Sequence, residues 1–310
     1  MNIFMDRVDF NSTAGPHWFG RKLADAFLKK GHEVSPNNPD VQLSFVQASV
    51  RFPGVPLFQR LDGIWYNSET DYKAMNEPIQ ETYKIADGVI FQSRFDHDFI
   101  SHHFGHHDNW SIIHNGADLN YIRSVQPAIG LDAHETVWCC ASSWIEGEPP
   151  NDEIRHIKRL NENIRYFQEH SGPRDLLCVA GDAGDYTNPD PSKILFLGNL
   201  GIDDLLSLYR RSTYFIHLAK QDHCPNVVVD ARGAGCHIIC SSSGGTKEIA
   251  GINATVIQEE DEFGFDAYAY NAESTLDFSN TILNPYDSNI SIEYAADLYL
   301  EFMGRYNNES

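Results

Sequence analysis

No apolar run in these 310 residues approaches the roughly 20 needed to cross a bilayer as a helix. Basic residues are scarce: 23 Lys+Arg stand against 44 Asp+Glu, a formal charge of −21. That shortage argues against non-specific nucleic-acid binding, which sets cations against phosphates. An anionic membrane would repel the chain as well, unless a local basic patch opposed the overall field. The first residues, Met1-Asn2-Ile3-Phe4-Met5-Asp6, lack the basic and apolar segments of a secretory signal. The six cysteines (Cys139, Cys140, Cys178, Cys224, Cys236, Cys240) form no C-x-x-C pair, and most lie in apolar, strand-like runs. Buried free thiols are therefore expected, and a disulfide framework is not. Together these absences predict a soluble, cytoplasmic protein. The sequence also lacks G-x-G-x-x-G after a first strand and any Walker P-loop, which disfavours nicotinamide, flavin and P-loop chemistry. No internal repeat or low-complexity segment occurs.

What is present is enough apolar and aromatic content, 42% and 12%, to build one large core or two smaller ones. The acidity is uneven. Residues 1–120 carry 10 basic and 15 acidic side chains, and residues 121–310 carry 13 and 29. The last sixty residues hold only Arg305 against twelve acids, a solvated face that favours solubility. An anionic partner should prefer the first third of the chain.

Short apolar runs alternate with segments of helical period, the pattern of parallel sheets with helical crossovers. Strands are expected at Ile3–Met5, Val41–Val46, Val55–Leu61, Gly88–Gln92 and Trp110–His114. A helix carries Phe19, Leu23 and Phe27 toward Gly31, and Ser93 caps another that contains Phe95 and Phe99 and ends at Gly105. A second unit begins at Thr136–Cys140 and continues through a helix near Glu153–Glu169. Its further strands are Leu176–Ala180, Ile194–Leu197, Tyr214–Leu218 and His237–Cys240. Leu119–His134 is the linker, and Ser291–Tyr306 has helical spacing. Two Rossmann-like domains bind ligand where the carboxyl ends of their strands face a cleft.

The informative stretch runs from Tyr214 to Gly251: strand, polar loop, short helix, strand, glycine loop, helix. Pro225 suits a first helical position. Asp222 stands in the loop and Asp230 one turn into the helix, so both can face one cleft, and a carboxylate there can accept two hydrogen bonds from a vicinal diol. Ser243-Gly244-Gly245-Thr246 begins another helix, whose glycines let backbone approach a ligand and whose positive end suits a diphosphate.

Asp222-x7-Asp230, then Ala231-x-Gly233-Ala234-Gly235 and Ser243-Gly244-Gly245-Thr246-Lys247-Glu248-Ile249, resembles the E-x7-E region of retaining GT-B glycosyltransferases of family 4 (glycosyl transferases group 1). The likeness extends to Ala14-Gly15-Pro16, Arg60-Leu61-Asp62-Gly63-Ile64-Trp65, Ile113-His114-Asn115-Gly116-Ala117-Asp118 and Phe196-Leu197-Gly198, and so spans nearly the whole chain.

The resemblance implies an α/β GT-B fold. Residues 1–120 form an acceptor-side domain, residues 134–288 a nucleotide-sugar domain, and residues 289–310 a helix that crosses back onto the first domain. It implies transfer of a sugar from a nucleotide-diphosphate sugar to a glycan, lipid-linked or small-molecule hydroxyl, without a metal or other cofactor. Asp222 then lies near the sugar ring and Asp230 holds the ribose. Gly15, Cys224, Pro225, Asn226, Gly244, Gly245 and Thr246 approach sugar and phosphate oxygens. Lys158 and Arg159 form the diphosphate-binding cations. Asp62 takes an acceptor-side role or caps an Asp-Gly turn.

The chain departs from the family pattern in three places. Both glutamates are aspartates, one methylene shorter. Ser142-Ser143 replaces Gly-Arg, so either one phosphate-binding arginine is missing or Arg155 or Arg159 stands in for it. An acidic stretch, Glu146-Gly147-Glu148-Pro149-Pro150, precedes Lys158.

His97, His102, His103, His106, His107 and His114 crowd eighteen residues but lack the partners that complete a metal site, and they are read as a polar turn. His114 and Asn115 mark a hinge, and His217 and His223 flank the donor loop as structural or sugar-contacting groups. Two other readings stay open: a nucleotide-sugar epimerase of the same fold, and a non-catalytic binding module motivated by the Asp-for-Glu exchanges.

Overall fold

A computed structural model describes residues 1–12, 15–146, 153–154, 156–259, 264–266 and 276–305. Thr13 and Ala14 of the first glycine turn, residues 147–150 of the acidic stretch, and Arg155 lie outside the described residues.

The first domain alternates strand and helix: β1 Asn2–Asp6, α1 Gly15–Lys29, β2 Glu33–Val34, β3 Val41–Phe45, β4 Leu57–Leu61, α2 Tyr72–Ile85, β5 Gly88–Phe91, α3 Arg94–Phe104 and β6 Trp110–Ile112. These strands form one parallel sheet in the order β2-β1-β3-β4-β5-β6. Every residue of β3, β4 and β5 is buried. Helices cover both faces, so these strands are buried on both sides, and the polar side chains they carry, Gln42, Ser44, Gln59 and Arg60, are buried with them.

Helix α4, Leu119–Ser124, falls inside the stretch expected to be linker, and Ile122 anchors it in the core of the second domain. The second domain follows with β7 Val137–Ala141, β8 Ile145–Glu146, β9 Glu153–Ile154, α5 Leu160–His170, β10 Leu176–Ala180, β11 Ile194–Gly198, α6 Ile202–Arg211, β12 Tyr214–His217, α7 Asn226–Ala234, β13 His237–Ser241, α8 Thr246–Ala250, β14 Thr255–Ile257 and β15 Thr281–Ile282. Its seven-stranded sheet has the order β11-β10-β7-β12-β13-β14-β15, antiparallel only at β15. The short β8–β9 pair stands apart.

The sequence placed one helix too early. Residues 153–154 pair as a strand with β8, His156–Lys158 form a single 3-10 turn, and α5 starts only at Leu160. Arg159, at φ 52°, is in the left-handed region and cannot continue a right-handed helix backward.

Helix α9, Ile292–Gly304, begins at Ser291, whose hydroxyl accepts from the amides of Glu293 and Tyr294. It returns to the first domain and buries Ala295, Ala296, Tyr299, Phe302 and Met303 among Phe19, Phe27 and Phe58. The two chain crossings between domains run side by side. The Ala117 amide donates to the Ile290 carbonyl at 2.7 Å, and the Ile292 amide donates to the Ala117 carbonyl at 2.9 Å. A Cβ on Gly116 would lie 2.5 Å from the Ile292 Cα, so this close crossing requires glycine. No helix among the described residues is long and apolar enough to cross a membrane.

Candidate active site

A cleft of about 940 Å³ opens between the two domains. The second domain lines it with the carboxyl ends of its strands: Ser142 and Ser143 after β7, Gly181 after β10, Asn199 after β11, and His217 with Asp222 after β12. The first domain contributes Ser12, Gly15, Pro16, Arg60, Asp62 and Gln92.

Asp222 holds the centre. Its Oδ2 accepts from Lys158 Nζ at 2.7 Å and lies 3.1 Å from His217 Nε2. Burial by itself would favour the neutral acid, but the Lys158 ammonium and the His217 hydrogen bond outweigh it. They hold the carboxyl well below the usual carboxylate range. Burial pushes His217 down, so it stands neutral and presents an N–H to Asp222. The 3-10 turn at His156–Lys158 delivers Lys158 to the cleft, where sequence periodicity alone suggested a longer helix.

Around this pair the structure brings together most of the residues expected from the sequence. Gly15, Cys224, Pro225 and Asn226 line the cleft with Asp62, Lys158 and Asp222. Asn226 Nδ2 donates to the Gly15 carbonyl at 3.0 Å, joining the starts of α7 and α1. Cys224 is buried, and burial pushes its thiol up to about 12, so it serves as a wall and not as a nucleophile.

Five of the expected contact residues, Asp230, Arg159, Gly244, Gly245 and Thr246, lie outside the cleft lining. Asp230 is buried beneath the domain seam: Oδ1 accepts from Lys22 Nζ at 2.8 Å and Oδ2 from Trp18 Nε1 at 2.9 Å. A buried carboxylate needs such partners, and α1 of the opposite domain supplies them. Arg159, likewise buried, makes a two-pronged pair with Glu259 at 2.8 Å from each nitrogen and also donates to the Leu218 carbonyl. Its charge is neutralised away from the cleft. Gly244 and Gly245 let backbone approach backbone. The Gly245 amide donates to the Asp222 carbonyl at 2.8 Å, and a Cβ at Gly245 would lie 2.1 Å from the His223 carbonyl. Thr246 is buried behind them.

The seam joins groups whose partners lie far apart in the chain. Arg60 is fully buried between the Phe19 and Phe45 rings, at 4.6 and 4.8 Å. Its Nη2 donates to Asn115 Oδ1 at 2.8 Å, and Nη1 lies 3.4 Å from Asp62. Arg60 and Lys158 are the Lys and Arg side chains among the described residues that line the cleft. Asn115 Nδ2 donates across the seam to the Cys224 carbonyl at 2.7 Å.

His223 Nδ1 sits 2.7 Å from the buried Asp96 Oδ1, and the imidazole packs on Phe95 and Phe99. Burial lowers its basicity, but Asp96 outweighs burial and raises the pKa above the ordinary value. Glu248 crosses the seam to accept from the amides of Arg94 and Phe95 at 2.8 and 3.0 Å, capping α3. A signal did exist for two of these: Ser93 and Gly105 bracketed α3, and Glu248 belonged to the quoted glycine motif. Their meeting could not be read from one strand of text.

Elsewhere in the histidine cluster, His107 Nδ1 lies 2.7 Å from the Asn109 carbonyl, and the His97 ring packs tilted on Trp110, centres 4.1 Å apart.

The sequence matches no protein-family model and no curated protein. Solved structures do match along essentially the full chain. Sucrose-phosphate synthase from Thermosynechococcus elongatus aligns with a TM-score of 0.67 at 12% identity, covering 100% of both chains. HepE from Anabaena, solved in complex with UDP-glucose, gives 0.64 at 14% identity over 98% of this chain and 100% of that one. A glycosyltransferase from Rickettsia africae gives 0.63 at 14% identity over 100% and 99%. The chain has the GT-B fold of these structures, with two parallel-sheet domains facing one cleft.

Proposed function

We propose that the protein is a glycosyltransferase that takes a sugar from a nucleotide-diphosphate donor and passes it to an acceptor hydroxyl with retention of anomeric configuration. The observation that carries this reading is the Asp222–Lys158 pair, an ionised carboxylate and an ammonium 2.7 Å apart in the interdomain cleft. Glycosyl transfer develops positive charge on the sugar ring beside negative charge on the departing diphosphate. A fixed pair of opposite sign offers a counter-charge to each with little reorganisation.

In this reading Lys158 faces the diphosphate, helped by Ser142, Ser143 and the start of α7 at Asn226 and Val227, which line the cleft. Asp222 faces the sugar and Asp62 the acceptor. The bond from the anomeric carbon to the diphosphate breaks, and its electron pair goes to the phosphate oxygen. The acceptor oxygen bonds to the same face, and its proton passes to that departing oxygen. The reading invokes no metal, because Lys158 and the helix amides supply the charge. HepE, of the same fold, has been solved with UDP-glucose, which supports a nucleotide-sugar donor here.

The test is a panel of UDP-, GDP- and ADP-sugars, read by thermal stabilisation, donor turnover and NMR of the product anomer. One donor class should stabilise the protein and turn over. Asp222→Ala and Lys158→Ala should each lower turnover by about 100-fold or more while the protein stays folded. Undiminished turnover in both variants would sink the assignment. An epimerised nucleotide sugar would favour an epimerase, and no response to any donor would favour a binding module.

A further inference from the structure

A second cavity, of about 470 Å³, opens beside the cleft and shares Asp62, Lys158, Asp222 and His223 with it. A molecule in this chamber therefore reaches the groups at the centre of the cleft. Charged groups mark the shared end, and Asn67 and Thr70 add uncharged polar groups elsewhere in the lining. The far wall is apolar, formed by Ile64, Trp65 and Tyr66 after β4 and by Met75 and Ile79 on α2. Trp65 is 50% exposed and Met75 39% exposed, so both present apolar surface to a molecule in the chamber.

The wall is built in advance. Asn76 of α2, itself buried, clamps the Trp65 backbone: its Oδ1 accepts from the Trp65 amide at 2.9 Å and its Nδ2 donates to the Trp65 carbonyl at 2.6 Å. A platform fixed before binding spares the ligand the cost of ordering it.

Charge narrows the occupant. The described lining carries two carboxylates, Asp62 and Asp222, and two ammoniums, Lys158 and Lys220. His223 is already paired to Asp96. Burial, and then the nearby Arg159, lower Lys220 to about 8, which weakens it as an anchor for an anion. The balance suits a neutral ligand.

We infer that this chamber binds a neutral, amphipathic acceptor, a glycoside with an apolar aglycone. The sugar hydroxyls face Asp62 and His223, and the aglycone lies on Trp65 and Met75. The inference rests on the transferase reading for the fate of the acceptor but not for its binding.

Two measurements test it. First, phenyl β-D-glucopyranoside is titrated against the protein without donor, followed by tryptophan fluorescence. Saturable binding is expected in the millimolar range or tighter, with the signal lost in Trp65→Phe. Absence of saturation, or an unchanged signal in Trp65→Phe, overturns the inference. Second, where a donor turns over, KM is compared for phenyl glucoside, glucose and glucose 6-phosphate. Phenyl glucoside should have a KM about 10-fold below that of glucose. Trp65→Ala should collapse that preference, whereas Leu283→Ala, which removes a 95% exposed leucine outside the chamber, should preserve it. Preference for the sugar phosphate, or a preference that survives Trp65→Ala, overturns the inference. Binding without turnover of any donor would leave the chamber standing and fell only the transferase reading.

Discussion

His223 shows how much one residue can carry. It belongs to the second domain, yet its ion-pair partner Asp96 and its aromatic neighbours Phe95 and Phe99 belong to the first. The charges facing it are Asp96, Asp222 and Asp62. Because its folded pKa is raised, the stability it contributes is fully present below the unfolded value of about 6.5. That contribution is lost as pH rises through the folded value. The melting temperature of the wild type should therefore exceed that of His223→Gln most at pH 6, and the gap should narrow toward pH 9. Thermal unfolding across that range measures it, and a gap independent of pH would remove the ion pair from the account. Asp222 illustrates what residues reveal on their own. Its place in a polar loop ahead of a Pro-Asn helix start was legible, since loop and cap chemistry are local. Its partners Lys158 and His217 were less so, because Lys158 reaches it only through the left-handed break at Arg159.

Among the elements, the central strands of both sheets and helix α3 were read closely from the sequence, whereas the short strands β2, β8, β9, β14 and β15 and helix α2 were not placed. Leu176–Ala180 agrees residue for residue, and Ser93 and Gly105 bound α3 as their side-chain and backbone chemistry require. Helix α4 and the late start of α5 were misread: the first is too short to show a helical period, and the second is set by backbone geometry and not by hydrophobic period. The meeting of α1 and α7 was the least legible. Asp230 there accepts from Trp18 and Lys22 instead of opening to the cleft, and the Lys22 side chain is only 3% exposed. Asp230→Ala would leave that ammonium buried without its counter-ion, at a cost of about 3–5 kcal/mol. Chemical denaturation should show this loss, and the double variant Lys22→Met/Asp230→Ala should recover most of it. A double variant no more stable than the single would mean that the seam depends on something other than this pair.

At the scale of the whole molecule, α9 joins the end of the described chain to its beginning. Tyr299 lies 6.2 Å from Phe19 and 6.4 Å from Phe27, and Phe302 lies 5.5 Å from Phe58, ring centre to ring centre. Removing residues 291–310 would expose this aromatic layer. Burial of each such side chain contributes roughly 1.5–3 kcal/mol, so the first domain should lose cooperative folding. Near-UV circular dichroism and dye binding on the truncated chain would show it. A truncated protein with native melting behaviour would contradict the packing.

The scarcity of basic residues also takes on meaning at this scale. Among the described residues, Lys22 and Arg159 near the cleft are paired with buried carboxylates, and Lys158 and Arg60 stand along its lining. The alternation of apolar strand and helix, the caps, and the loop bearing Asp222 follow from local chemistry, and the sequence alone determined them. Tertiary structure decided which charges face the cleft and which are neutralised in the seam. That choice depends on the approach of α1 to α7 and of Arg159 to Glu259, contacts between residues 100 to 208 positions apart that no local rule encodes.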